Sequence, residues 1–504
     1  MMNMLSFDFS ALFSFWSLAA IVFGSLMGLI IGTLPGLGAT IAVVLLLPLT
    51  YSMTPLASVL MLIAAYQGSE YGGSISSIIL GIPGTPAAVA TAIDGNAMAR
   101  KDMAGKALGY SLAASTLGGI VGGLVLIFLA VPLARLAVKF SDPEFFLIGV
   151  AGLIAVGALG SGSAIKSVIS VLLGLMIGTI GLDSFTGVPR FTFGTLELLE
   201  GVGMVALLTG MFAYSEIFSI ISSELNKSFA TGKKKLSTGL TFAEMRAVAP
   251  AALRGSIIGS IVGVFPGMGA GPASWFAYIH AKKTSRHPEQ FGKGSAEGIA
   301  APEAANNATV GGALVPLLAL GIPGSPSTAI ILGAFIIHGI QPGPNLFQAS
   351  PELAMGLFYG FLLATLVMYI AGRLVTNFFA RALTIPNSYL IPIVLSLSIV
   401  GVFASHGLFF DLWLALGVGI LAYVMKRLDY SLPSFILAFI LSPIIEASLR
   451  RSMLLSGGSL DIFVERPYSL VILSLIILFL GMTIVGHVRR FRSAQAQRTG
   501  SNTE

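Results

Sequence analysis

The sequence predicts an all-α polytopic membrane protein with two inverted structural repeats, broken or re-entrant helices and an elevator-type architecture. Three observations lead there: charge is scarce, glycine is abundant, and one pair of glycine-proline motifs occurs twice. Of 504 residues, 55% are apolar and 10% charged, where soluble domains average roughly 45–50% and about 25%. The 28 Lys and Arg together with 22 Asp and Glu are too few to cover a water-facing globule, whereas a lipid-facing surface needs almost none. A mean hydropathy of +0.91 agrees. A single soluble domain, a disordered chain and a nucleic-acid binder of ordinary composition are excluded. The net charge of +6 is modest and its clusters follow apolar segments as the positive-inside rule arranges them, so no nucleic acid is expected as a partner. The chain has no cysteine, hence no disulfide, thiolate metal site or cysteine nucleophile.

The start, MMNMLSFDFSALFSFW, lacks a basic n-region and reads as an uncleaved first span. Apolar stretches recur at 11–33, 39–50, 55–66, 107–132, 144–160, 164–182 and 196–222, and again at 247–265, 268–279, 310–340, 352–372, 385–404, 407–425, 433–448 and 467–487. A membrane span takes about 20 apolar residues, so the stretches 39–50 and 268–279 are too short to cross alone and read as re-entrant or broken helices. Sixty glycines, well above the roughly 7% average, fit helices that pack closely or break within a membrane. Residues 1–223 are assigned to a first membrane repeat, 224–246 to a basic linker, 247–488 to a second repeat and 489–504 to a tail.

Gly24 to Ala39 reads GSLMGLIIGTLPGLGA and Gly255 to Ala270 reads GSIIGSIVGVFPGMGA, nine identities in sixteen at a constant offset of 231. Leu80 to Pro86 (LGIPGTP) matches Leu320 to Pro326 (LGIPGSP) at six of seven positions. Two matches in the same order indicate a duplicated unit. The segment before the first copy has no Lys or Arg, while the linker carries Lys227, Lys233, Lys234, Lys235 and Arg246, with Arg254 just beyond. The positive-inside rule therefore places the N-terminus outside and the linker in the cytoplasm, which inverts the copies. It also puts the loop 51–55 outside, the loop 281–293 with Lys282, Lys283, Arg286 and Lys293 inside, and the tail with Arg489, Arg490 and Arg492 in the cytoplasm.

In PGLGA and GIPGTP, proline removes a donor and glycine accepts unusual dihedrals, so a helix must stop there and free polar backbone groups at bilayer depth. Such groups line a cavity or bind something, and broken helices at corresponding places of two halves are the mark of a secondary transporter's midplane site. Candidate substrate-binding residues are therefore Pro35, Gly36, Gly38, Gly84, Thr85, Pro266, Gly267, Gly269, Gly324 and Ser325, joined by Gln67, Ser69, Asn306 and Asn307 beside the breaks. Aligning the copies at an offset of about 239 sets Gln67 opposite Asn306 and Ser69 near Ala308. Ionisable groups at membrane depth are functional by default, which makes Glu70 and Glu303 the candidates for a coupling cation or its proton. The ladders Gly24, Gly28, Gly32 and Gly255, Gly259, Gly263 are expected to pack helices closely rather than touch substrate. His280, His287, His338, His406 and His487 show no metal-ligand spacing. Ser163 and Lys166 fit SxxK without its companion elements, and no P-loop sequence is present, so the energy comes from an ion gradient or another subunit.

The runs GTLPGLGATIAVVLLLPLTY (32–51), GIPGTP (81–86), GVFPGMGAGPASW (263–275), EGIAAPEAANNATVGGALVPLLALGIPGSPSTA (297–329) and HGIQPGP (338–344) carry a resemblance to a known family. Over essentially its whole length, the chain resembles the large permease subunit of tripartite tricarboxylate transporters. The resemblance implies a multi-pass subunit of the bacterial inner membrane, not an enzyme, that imports di-/tricarboxylates or related organic anions. It also implies a small membrane subunit of about four spans, a periplasmic substrate-binding protein, no cofactor, and sodium or a proton as coupling ion. Two other classes stand beside it, an intramembrane enzyme and the permease of an ATP-driven importer. The first needs an acid, base or nucleophile cluster beyond two isolated glutamates, and the second an adjacent ATPase gene.

Overall fold

The computed structural model describes residues 8–159, 163–222, 238–382 and 387–481. Lys227, Lys233, Lys234 and Lys235 of the basic linker, and His487, Arg489, Arg490 and Arg492, lie outside the described residues. Among the described residues the chain is helical almost throughout, and seven helices there are long and apolar enough to cross a membrane.

The first half opens with α1 (Phe15–Thr33), α2 (Gly38–Leu46), α3 (Pro55–Leu80), α4 (Ala88–Met98) and α5 (Ala104–Ala137). It continues through α6 (Asp142–Leu159), α7 (Ala164–Gly178), a two-residue hairpin of β1 (Gly181–Leu182) and β2 (Pro189–Arg190), and then α8 (Met204–Thr209) and α9 (Ser215–Ser222). After the linker come α10 (Phe242–Val264), α11 (Ala270–Thr284), α12 (Ala296–Leu320), α13 (Pro326–Ile337), α14 (Leu346–Ala349) and α15 (Pro351–Ala382). The last elements are α16 (Asn387–His406), α17 (Phe409–Arg427), α18 (Leu432–Leu455), α19 (Ile462–Glu465) and an apolar helix at Pro467–Gly481.

The short stretches are indeed short helices: α2 passes into a 3-10 turn over Leu47–Ser52, and α11 runs only from Ala270 to Thr284. The apolar stretch 310–340 is two helices, because Gly321 takes a left-handed conformation (φ +74°) and stops α12. Conversely, α3 extends well past the apolar stretch 55–66, through Gln67, Ser69 and Glu70 to Leu80. It stays helical because its polar side chains are buried among other helices. Both α3 and α12 are enclosed over most of their length, from Ala57 to Ile78 and from Gly298 to Ala319, and they form the centre of the molecule.

The glycine ladders explain how neighbours reach these two helices. A Cβ at Gly24, Gly28 or Gly32 would strike the carbonyl oxygens of Met61, Ala65 and Ser69 on α3. A Cβ at Gly255, Gly259 or Gly263 would strike those of Ala301, Ala305 and Thr309 on α12. Each ladder thus lays one backbone directly on another, the close approach that small residues allow. On the adjoining face of α12, Gly118 and Gly122 of α5 press on the carbonyls of Ala304 and Ala308.

These contacts correct the register read from sequence. Gly24 meets Met61 and Gly255 meets Ala301, so the central helices correspond at an offset of 240, not 239. Gln67 therefore corresponds to Asn307 rather than Asn306, and Ser69 to Thr309 rather than Ala308. Glu70 and Glu303 occupy different positions in their halves.

Candidate functional site

The four breaks meet in pairs. In the first half, Gly84 donates its N–H to the carbonyl of Gly73 at 3.2 Å and packs on the carbonyl of Gly32, while Gly38 lies next to the carbonyl of Gly84. In the second, the N–H of Gly267 donates to the carbonyl of Gly324 at 3.0 Å, which in turn packs on Gly263 and Ala313. The pairs are linked across the halves. The hydroxyls of Thr40 on α2 and Ser327 on α13 are 3.3 Å apart, Tyr66 of α3 donates to Ser325 Oγ at 3.2 Å, and Gly271 of α11 adjoins Pro86.

The predicted glycines divide by what they do. Gly36, Gly38, Gly267 and Gly269 have positive φ (+91°, +68°, +83° and +66°) and turn the chain between helices. Gly84 and Gly324 do not, but a side chain on either would collide with backbone of its own half. Their role here is close packing. Gly36 is exposed and faces Glu216, so with Pro35 it marks the tip of its hairpin, apart from the central polar cluster. Pro266 is half-buried beside Gly267 at the other tip. Ser325 caps α13, accepting from the N–H of Thr328 at 3.2 Å, so its hydroxyl is already engaged. The two loops differ in their surroundings. Ile82 is 38% exposed while Ile322, its counterpart in the second loop, is 1% exposed.

A set of buried polar atoms without hydrogen-bond partners is spread over α3, α12 and the loop after α3. It comprises Gln67 Oε1, Ser69 Oγ, Glu70 Oε2, Thr85 Oγ1, Asn306 Oδ1 and both side-chain atoms of Asn307. An unsatisfied polar group in a protein interior costs about 1–3 kcal/mol, and native structures hold few of them. Partial tethering holds the set in place. Gln67 Nε2 donates to Thr365 Oγ1 at 3.1 Å, Asn306 Nδ2 donates to the Glu70 carbonyl at 3.2 Å, and the Thr85 and Asn306 side chains flank the Glu70 carboxyl. Of these, Glu70, Thr85 and Asn306 lie together, and donors and acceptors presented side by side in a buried space can take a small polar ligand that brings its own complement of both.

Glu303 is quite different. Its Oε1 accepts from Ser74 Oγ and, at 2.6 Å, from Thr91 Oγ1. Its Oε2 accepts from Ser111 Oγ at 3.0 Å and Ser115 Oγ at 2.9 Å. Four hydroxyls from α3, α4 and α5 thus saturate a carboxylate on α12. Sequence inspection missed this cage, whose only local signal is the i, i+4 spacing of Ser111 and Ser115, which puts them on one helix face. It also missed Asp94 on α4. The Oδ1 of Asp94 accepts from the N–H groups of Gly292, Gly294 and Ser295 at 2.9, 2.8 and 2.7 Å, and Oδ2 accepts from Tyr278 OH at 2.9 Å.

A separate cavity of about 740 Å³ opens beside the β1–β2 hairpin and is lined by the loop 339–345 and by Arg190 and Glu446. Arg190 grips Glu446 with both terminal nitrogens, at 2.7 and 3.2 Å, and Arg450 holds Asp183 at 2.7 Å. Among the described residues no group of three or more His, Cys, Asp or Glu side chains is placed to hold a metal ion.

Comparison with known proteins places this architecture. The profile of the tripartite tricarboxylate transporter TctA family matches residues 18–437. An uncharacterized 52.8 kDa protein in the TAR-I ttuC' 3' region of Agrobacterium vitis is 38% identical over 440 residues, 87% of this chain and 88% of its own. An uncharacterized protein in the TAR-II ttuC' 3' region of the same organism is 35% identical over 234 residues, 46% of this chain and 97% of its own.

Proposed function

The chain belongs to the tripartite tricarboxylate transporter TctA family, and from that premise we propose that it is the permease through which a di-/tricarboxylate or related organic anion enters the cell. A periplasmic binding protein delivers the substrate, a small membrane subunit completes the complex, and the bacterial inner membrane is its location. The observation that carries the reading is the set of unpaired polar atoms on Gln67, Ser69, Thr85, Asn306 and Asn307. The unpaired donors among them, the Ser69 and Thr85 hydroxyls and the Asn307 amide nitrogen, suit carboxylate oxygens, the unpaired oxygens of Gln67 and Asn306 suit a hydroxyl or protonated carboxyl of the substrate, and the broken helices supply the backbone groups that such sites use.

The paired breaks and the matched glycine ladders support two inverted repeats, over 1–223 and 247–488, whose cores shift against a scaffold in the elevator manner. Each negative charge carried inward against the membrane potential costs about 2.3 kcal/mol per 100 mV. Uptake therefore draws on a cation gradient, with Glu70 and Glu303 as the acidic groups available to the coupling ion.

The test is uptake of labelled di- and tricarboxylates into proteoliposomes holding both membrane subunits, with the binding protein outside. Uptake is expected to need the binding protein and an inward cation gradient. Uptake driven by ATP, or none of any carboxylate that the binding protein holds, would refute the reading.

A further inference from the structure

We infer that the cavity beside the β1–β2 hairpin is an outer binding site for an organic anion with one carboxylate on an apolar body, and that Arg190 is the group that receives the carboxylate. At about 740 Å³ the cavity is the size of a small-molecule site. Its walls are apolar at Ile177, Leu332, Phe439 and Ile444, and they include Leu320 and Gly321 at the GIPGSP break. The mouth faces outward on two counts. The span Met204–Ser222 starts beside the hairpin and runs into the basic linker, which its charge assigns to the cytoplasm. His338 Nε2 lies 2.8 Å from Ser58 Oγ, which sets the loop 339–345 near the loop 51–55, likewise assigned to the outside.

Arg190 is the one cation among the described residues that line the cavity. Glu446 holds it with the two-oxygen grip that any carboxylate can offer, Nη1 on one oxygen at 2.7 Å and Nη2 on the other at 3.2 Å. Two observations show that this grip is replaceable. Arg190 Nε is buried without a partner, so the present arrangement leaves a donor of the guanidinium unused, a cost that a differently seated carboxylate can lift. Glu446 also has somewhere to go, because Arg450, one turn further along α18, already stands 3.4 Å from the oxygen that Arg190 holds most closely. Asp183 steadies both arginines, at 3.3 Å from Arg190 and 2.7 Å from Arg450, while its other oxygen accepts from the N–H groups of Phe185 and Thr186, each at 2.9 Å. The anion and Glu446 thus compete for one fork, and Glu446 keeps a cation when it loses.

Charge sets the class of anion. The lining holds the carboxylates of Glu200 and Glu446 against the single guanidinium of Arg190, a formal excess of one negative charge. One carboxylate can replace another at the fork, but a second or third on the same ligand meets apolar wall or Glu200, and a charge without a partner is costly there. The site's purpose, holding the anion between delivery outside and passage to the GIPGSP break, rests on the permease reading. The exchange at Arg190 needs only this chain.

The experiment uses the purified full-length chain with one introduced cysteine, Asn345→Cys, on an exposed lining residue of a protein that has no other. Its rate of reaction with a maleimide is followed as benzoate is added. Benzoate should slow the reaction saturably, citrate at equal ionic strength should need at least about tenfold more, and Ser52→Cys, which does not line the cavity, should react at one rate throughout. Arg190→Gln should abolish protection. Glu446→Gln removes the competitor and should bring protection at roughly tenfold lower benzoate, about the worth of one charge-assisted hydrogen bond. A pair that served only to hold the hairpin would gain no affinity on being broken. Unchanged or lost protection in monodisperse Glu446→Gln, or equal protection by citrate, would overturn the inference even where Arg190→Gln does not fold. Carboxylate import without protection of Asn345→Cys would remove the outer site alone, and protection in a chain that imports nothing would remove the permease reading alone.

Discussion

The side chain of Asn306 donates to the main-chain carbonyl of Glu70 at 3.2 Å, joining α12 to α3 at the residue whose own carboxyl oxygen Oε2 has no partner. Asn307, the next residue, makes no side-chain hydrogen bond at all. The two amides therefore separate stability from transport. Asn306→Ala removes a second hydrogen bond to a carbonyl that α3 already satisfies and should lower stability by about 0.5–1.5 kcal/mol as well as uptake. Asn307→Ala removes only unsatisfied atoms, so its melting temperature in detergent should equal or exceed that of the wild type while uptake falls by about tenfold, the equivalent of one lost hydrogen bond of about 1.4 kcal/mol. Normal uptake by Asn307→Ala would remove it from the substrate path.

Gly84 and Gly269 offer a second contrast. A methyl group at Gly84 meets the Gly32 carbonyl and Gly73, whereas one at Gly269 meets nothing within 4 Å. Gly84→Ala should reduce the yield of monodisperse protein, since backbone cannot give way as a flexible side chain does. Gly269→Ala meets no neighbour and should assemble, losing about 1–3 kcal/mol for an alanine held at φ +66° and ψ −178°. Size-exclusion profiles of the two variants check this, and equal profiles would contradict it.

Orientation can be read chemically. Ser52 and Lys283 are both exposed, and the chain has no cysteine of its own. A cysteine at Ser52 should react with an impermeant maleimide from outside the cell, and one at Lys283 only after permeabilisation. The opposite pattern would reverse the topology.

Asp94 holds the loop between α11 and α12 through three backbone N–H groups and Tyr278. Asp94→Ala leaves those donors without an acceptor, at about 1–3 kcal/mol for each that water cannot reach. Trypsin should then cut after Lys282, Lys283, Arg286 or Lys293 faster than in the wild type. Unchanged cleavage kinetics would show that the loop holds without its anchor.

Asp183 lies in the connection between α7 and α8, outside the membrane helices, and its carboxyl is held well below the usual range. The backbone N–H groups of Thr186 and Phe185 contribute most, with the Arg450 guanidinium adding to them. A depressed native value means that the stabilisation is complete above the unfolded value of about 3.9 and is lost as pH falls through the lower native one. Asp183→Asn should therefore melt below the wild type near pH 7, and the difference should shrink as the pH drops below about 4. A constant difference across that range would rule out the carboxylate charge as the cause.

How much of this was legible in the sequence depends on whether a feature is local. The PGxGA and GIPG[ST]P segments announce helix ends because proline and glycine act on their own backbone. The ladder of Gly24, Gly28 and Gly32 announces a close neighbour for the same reason. The cage around Glu303 has no such signature, since Ser74, Thr91 and Ser111 come together only when α3, α4 and α5 pack. Asp94 likewise meets Gly292 and Ser295 across about two hundred residues. The one-residue error in register was avoidable, because Leu80 and Leu320, which end α3 and α12, already stand 240 apart, the offset that the packing of Gly24 on Met61 and Gly255 on Ala301 repeats.

The unequal covering of the two GIPG[ST]P loops reaches back to their composition. Six of their seven residues agree, yet Ile82 faces open space and Ile322 is enclosed. One string of amino acids thus serves in an open and in an enclosed setting alike, so its members must have small transfer free energies between the two. Glycine and proline carry little apolar area, and a lone threonine or serine can exchange water for a helix N–H. A single isoleucine is worth at most about 1.5–3 kcal/mol either way. Larger or charged residues in these loops would bind the molecule to one environment, whichever suited them, and the near-identity of the two strings is what leaves both open to it.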